Sequence, residues 1–251
     1  MRFGWQLKLG VILLSFTLVI YSIKYLVLKN PADTLNYVFN SLGFLFISAF
    51  LVTIILNEML TMRSRKERLE KLNMVIGTFF SEVGTTLLAG ISDCDPGLDG
   101  IRKRLLVRDT WHDQEFDDLK VFLEKYQYDV EIGKIDIRDL TNFLDEKRNF
   151  LLRLLENPVL LEHQMFTETL RAVFHLTEEL DRRKGAPELP DTDLAHINRD
   201  LIRVYRNLSI QWVDYMKYLK NNYPYLFSLA MRTNPFDQEA SVIVRKLESS
   251  S

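Results

Sequence analysis

Two apolar stretches, residues 9–28 and 35–56, constrain this chain of 251 residues more than any other feature of it. Each is long enough for a helix to cross a hydrocarbon core of ~30 Å, because an α-helix rises about 1.5 Å per residue. The one charge inside either run is Lys24, near the end of the first, where its long stem reaches an interface. The pattern predicts a two-helix transmembrane anchor over residues 1–61. A cleaved signal peptide is the competing reading of the first run. No small-x-small site follows it, since Lys24-Tyr25-Leu26-Val27-Leu28 simply continues, so the first span is expected to be retained.

Charge sets the expected orientation. Past the second run come Arg63, Arg65, Lys66, Arg68 and Lys71, and before the first run stand Arg2 and Lys8. The connecting loop offers Lys29 alone. Lys and Arg gather on the cytoplasmic side of membrane proteins, so both termini are expected there. The same five basic residues are candidates for contact with anionic headgroups. Trp5, Tyr21, Tyr25 and Tyr37 fall near the expected interfaces. Ser15 and Ser22 on one run, and Thr34, Ser41 and Ser48 on the other, recur at seven-residue intervals and predict a seam where two helices approach closely. Neither run carries the several charges or broken helices of a transport path.

Residues 62–90 are expected to form a juxtamembrane amphipathic helix continuing from the second span. Leu69, Leu72, Ile76, Phe79 and Val83 follow 3- and 4-residue steps, the rhythm of a coiled-coil seam. They serve either a self-association face or packing on the rest of the domain, and Val75, Phe80 and Leu87 broaden the apolar side in the second sense. Two stretches here resemble a known group. Arg2-Phe3-Gly4-Trp5-Gln6-Leu7-Lys8-Leu9-Gly10, together with residues 69–84 (Leu69-Glu70-Lys71 through Ser81-Glu82-Val83-Gly84), is similar to a family of uncharacterised small prokaryotic two-span membrane proteins with a cytoplasmic helical domain. The resemblance implies the inner (plasma) membrane of a prokaryotic cell, and brings no catalytic residue, cofactor or partner.

Residues 91–251 read as helices. Asp95-Pro96 and Asn157-Pro158 resemble cap-then-proline starts, and Thr110 to Asp113 has capping-box spacing. The expected helices run from 110 to 128, from 136 to 156, from 158 to about 184, from 191 to 221 and from 225 to 231. Short β-like patches at 130–137 and 241–247 have no evident partners. The fold class is therefore all-α: a transmembrane helical hairpin followed by a cytoplasmic helical bundle.

Past residue 61 the chain carries a net charge of about -4, which leaves no electrostatic footprint for nucleic acid. Cys94 is the sole cysteine, so disulfides and thiolate clusters are excluded, and Asp93 and Asp95 beside it oppose thiolate formation. P-loop, dinucleotide and Gly-x-Ser-x-Gly patterns are missing. Asp113, Glu115, Asp117 and Asp118 lack calcium-loop spacing and fit a helix start. Helical bundles can hold metal between facing helices. The candidate ligands are His163, His175, Glu178, Asp193 and His196, with Glu162 and Glu168 nearby, although no Glu-x-x-His pair occurs. No cofactor is expected. Trp212, Tyr215, Tyr218, Tyr223, Tyr225 and Phe227 crowd one stretch, as core or as an anchor surface for a partner. The reading is a non-enzymatic membrane-anchored scaffold or regulatory interaction module, whose partners are the lipid bilayer and a second copy or another protein. The alternatives are a membrane-tethered metal enzyme on the bundle and an oligomeric channel or transport accessory.

Overall fold

The computed structural model describes residues 3–28, 31–158, 160, 163–186 and 189–243, with the backbone alone for 3–10, 28, 31 and 34. Arg2, Glu162, the end of the 241–247 patch and the side chains of Trp5, Lys8 and Thr34 lie outside the described residues. Among the described residues all regular structure is helical, so the 130–137 patch and the described start of the 241–247 patch form no strand. The chain divides into two compact units, Met1–Lys66 and Glu67–Ser251.

The first unit holds α1 (Phe3–Leu28) and the first part of α2 (Pro31–Phe79). Tyr21 and Tyr37 place their ring centroids 6.4 Å apart, and Lys24 Nζ lies 3.8 Å from the centre of the Tyr37 ring. On α2, Val38, Ser41 and Ser48 are half-buried among exposed neighbours, so the serine seam exists on that helix. Its other half does not. Ser15 and Ser22 are exposed and donate to the carbonyls of Val11 and Leu18, while Tyr21 and Lys24 are the partly covered positions among the described side chains of α1. Apart from Tyr21 and Val38, the described large apolar side chains from Val11 to Leu60 are exposed. One helical stretch, Leu35–Ser92, is long and apolar enough to cross a membrane, with a mean hydropathy of 2.2 in its most apolar window. The described apolar part of α1, Val11–Val27, is shorter than that criterion.

The second unit is a bundle. The last turns of α2 enter it and pass through a π-helical turn, Phe80–Gly84, into α3 (Thr85–Ser92). At this turn the Thr85 N–H donates to the Phe80 carbonyl, five residues back. The inserted residue widens the inward face, so Ile76, Phe79, Phe80, Val83 and Leu87 are all buried. Leu72, Ile76, Phe79 and Val83 are therefore covered by their own chain rather than offered as a self-association face, and Leu69 alone of the five stays half exposed. The broad apolar side decided this, since a narrow seam would leave Phe80 and Leu87 outside.

Then come α4 (Leu98–Leu105), α5 (Asp113–Lys125), a 3₁₀ turn (Ile132–Lys134), α6 (Ile137–Leu155), α7 (Gln164–Asp181), α8 (Asp191–Asn222) and α9 (Pro224–Arg232). The long α8 is the spine, burying Ile197, Leu201, Val204, Leu208, Trp212 and Leu219 at helical spacing. Its most extensive seams are with α7 and α5, and α6 packs on α7. Several starts fall later than their sequence signals. Asp95 Oδ1 accepts from Gly97 N in a turn, and α4 begins after it. The Glu115 carboxylate accepts from His112 N, so the cap of α5 is two residues past Thr110. His163 Nδ1, rather than Asn157, caps α7 by accepting from Phe166 N. Asp136, the expected first residue of this helix, caps α6, and Gly185 takes a positive φ of 84° after α7, a backbone state natural to glycine.

Candidate functional site

Two places in the bundle concentrate functional side chains. The first lies across the α7–α8 seam. His175 and Glu179 share one face of α7 at four-residue spacing, and His196 and Asp200 share a face of α8 in the same register. Asp200 is the buried member, its side chain only 4% exposed. Its Oδ1 accepts from Arg203, and its Oδ2 accepts no hydrogen bond. The Nε2 atoms of His175 and His196 each stand 3.6 Å from that Oδ2. Glu179 lies 4.0 Å from His175 Nε2 and 3.5 Å from His196 Nε2.

Arg183 ties this cluster to the start of α8. It donates to Glu179 Oε2 at 2.6 Å and forks onto both oxygens of Asp193 at 2.6 and 2.7 Å. The guanidinium holds the carboxyls of both Glu179 and Asp193 below the usual carboxylate range. Of the predicted ligands, His175 and His196 are brought together, Asp193 is engaged by Arg183, Glu178 is half-buried outside the contacts described, and His163 caps α7. Three-residue spacing does not reach Glu179 or Asp200, since His-x-x-x-Glu and His-x-x-x-Asp put the partners four apart. Among the described residues no three of His, Cys, Asp or Glu already surround a common ion position.

The second place is a groove of about 580 Å³ between the last turns of α2 and the α8–α9 corner. Tyr215, Tyr218 and Tyr223 form one wall, and Gly77, Thr78 and Phe80 are opposite. The Tyr215 ring stacks on Phe80 with centroids 5.1 Å apart and planes 7° from parallel. Gly77 leaves room for this, since a Cβ there would sit 3.3 Å from the Tyr215 hydroxyl. None of the lining residues is Asp, Glu, Lys, Arg or His. Burial pushes the Tyr218 hydroxyl up to about 12. Tyr225, Leu226, Leu229 and Met74 are exposed, Tyr225 by 72%. The aromatic stretch thus divides: Trp212 and Phe227 are core, while four tyrosines line the groove.

Three other predictions have simple outcomes. Cys94 is buried, and burial, reinforced by Asp93, pushes its thiol up, which opposes thiolate formation. The acidic start of α5 clamps α8, with Asp117 2.8 Å from Lys217 Nζ and Asp113 accepting from Asn221. Arg63, Arg65, Lys66, Arg68 and Lys71 are all exposed.

Two family models match: "MJ1433, N-terminal helical domain" over residues 1–60 and "Uncharacterized protein MJ1433, C-terminal helical domain" over residues 68–232. The chain is also similar to the uncharacterized protein MJ1433 of Methanocaldococcus jannaschii, 44% identical over 239 residues that cover 95% of this chain and 96% of the relative. No solved structure matches.

Proposed function

The chain belongs to the MJ1433 family, and on that premise we propose that it is an integral membrane protein whose two-helix anchor presents a cytoplasmic helical bundle as a docking module for another protein. The exposed apolar side chains from Val11 to Leu60 support the anchor, because each Å² of apolar surface left in water costs about 25 cal/mol and a bilayer removes that cost. Taken from Phe3 to Leu28, α1 has 26 residues, which at about 1.5 Å each exceeds the ~30 Å needed. The exposed basic run from Arg63 to Lys71 favours both termini in the cytoplasm of a prokaryotic cell, with the anchor in its inner membrane. Each of those residues gains about 1 kcal/mol near anionic headgroups.

The observation that carries the docking role is the uncharged tyrosine groove with exposed Met74, Tyr225, Leu226 and Leu229 beside it. Its shape and chemistry suit the apolar face of a partner helix, for which tyrosines make low-entropy anchors. Alkaline carbonate extraction tests the anchor, and release of the intact chain from vesicles overturns it. A photoreactive side chain placed at Tyr225 tests the groove in native membranes. The expected product is one discrete adduct that disappears with Leu229→Asp. An adduct of twice the chain mass identifies a second copy as the occupant, and no adduct at either Tyr225 or Leu226 removes the docking role.

A further inference from the structure

We propose that His175, His196 and Asp200 form a binding site for one divalent transition-metal ion, such as zinc, across the α7–α8 seam. Asp200 is the fixed member, held by burial and by Arg203 on Oδ1, with Oδ2 facing the two imidazoles and accepting no hydrogen bond. A buried carboxylate oxygen without a partner is a costly arrangement that a cation relieves. The two Nε2–Oδ2 separations of 3.6 Å are too long for hydrogen bonds. They lie close to the ~3.4 Å expected between two ligands on one tetrahedral zinc with bonds of about 2.1 Å.

The site is assembled by the ion rather than preformed. As the side chains stand, no group of three or more His, Cys, Asp or Glu among the described residues is arranged to hold an ion, so the imidazoles, 46% and 41% exposed, must turn toward Oδ2 for the site to form. The fourth position falls to water or to Glu179 Oε1, since Glu179 Oε2 is occupied by Arg183. Two imidazoles with one carboxylate favour zinc, cobalt or iron over magnesium and calcium, which prefer all-oxygen shells. Charge agrees: Glu179, Asp193 and Asp200 face Arg183 and Arg203, leaving one excess negative charge beside the open oxygen.

The test uses the full-length chain in detergent, without a histidine tag, stripped by chelator and titrated with Co²⁺ and then Zn²⁺. The expected result is one equivalent of bound metal, a visible cobalt absorption of tetrahedral type that zinc abolishes, and a higher unfolding midpoint with zinc. His175→Ala and His196→Ala sit at half-exposed positions and keep the helical circular dichroism, and each should weaken binding by about tenfold or more. Asp200→Asn should do the same. His163→Ala, at the cap of α7, should leave binding unchanged. Less than half an equivalent of metal on the unaltered chain overturns the site, and so does undiminished binding in the His175→Ala/His196→Ala double variant.

Discussion

The two units put the same residue types to opposite uses. On α2 alone, Phe46 is 74% exposed and Phe79 is fully buried. In the first unit the hydroxyls of Ser15, Thr17, Ser22, Thr53 and Thr61 all return to a carbonyl four residues back on their own helix. Ser and Thr hydroxyls do not separate the units, since in the bundle Thr141, Thr169, Thr177 and Ser209 also return to a carbonyl four residues back. Longer polar side chains do more there and reach across: Lys120 to Asp214, Lys217 to Asp117, and Asn234 to the Leu105 carbonyl. A segment surrounded by hydrocarbon has no water to satisfy stray polar groups and must close them internally, whereas a bundle in water can use them between elements. Hydropathy measures how much apolar surface a helix has. It does not by itself say which solvent covers that surface.

Paired substitutions test that contrast most severely. Phe79→Ala should cost the bundle about 3–5 kcal/mol, because the ring is lost from a closed core against Phe80 and Phe166. Phe46→Ala should leave the unfolding of the bundle unchanged, as measured by denaturant titration in detergent. A comparable loss at both positions would break the comparison. Reversing the chemistry sharpens it. Phe46→Arg, near the middle of the second apolar run, should penalise membrane insertion by about 2.5–3.5 kcal/mol in an insertion assay. If Phe46→Arg inserts like the parent, the anchor reading fails.

A smaller effect is expected where the backbone departs from the α-helix. A Cβ on Gly84 would come within 2.7 Å of Phe80 Cδ1 and 2.9 Å of Phe79 Cε1. Both rings are buried, so neither can give way cheaply. Gly84→Ala should destabilise the bundle by about 1–3 kcal/mol despite the better helix propensity of alanine. Gly43, on the exposed apolar part of the same helix, has nothing within 4 Å of such a Cβ. Gly43→Ala should be silent in the same titration.

How much of this was legible depended on whether a pattern was local. The boundaries of α8, predicted as 191–221, came within a residue, because proline or its neighbour ends the apolar rhythm on both sides. The long α2 was legible too, since no residue after Pro31 interrupts it. The start of α7 was not: Asn157-Pro158 has the form of a cap, but His163 makes the bond, and nothing in either residue reveals which donor it will meet. The π turn at Phe80 had no sequence signature beyond adjacent aromatic residues. The His/Asp cluster was half legible. Four-residue spacing gives the pairs on each helix, but joining His175 to Asp200 needs the α7–α8 register, a tertiary fact. The aromatic residues could be gathered from the sequence into one stretch, yet not divided into Trp212 and Phe227 inside and Tyr225 outside.

The smallest expected effect concerns acid, which should act on the bundle and spare the anchor. Glu179 and Asp193 are held below the usual carboxylate range chiefly by their bonds to Arg183. A carboxyl whose folded pKa lies below its unfolded value of about 4 stabilises the fold above that value, and the contribution fades as pH falls through the folded one. The thermal midpoint of the bundle should therefore be flat from pH 7 to about 5 and decline below about 4. Arg183→Met should lower the midpoint at pH 7 and flatten the acid decline, because the two carboxyls then lose the cation that holds them ionised. Between Val11 and Met62 only Lys24, Lys29, Asp33 and Glu58 carry charge. Near-ultraviolet signals from Trp111 and Trp212 should accordingly fade in acid before the far-ultraviolet helical signal of the apolar helices does. An acid decline of equal slope in Arg183→Met and the parent would show that other carboxyls, such as those clamping α5 to α8, set the response instead.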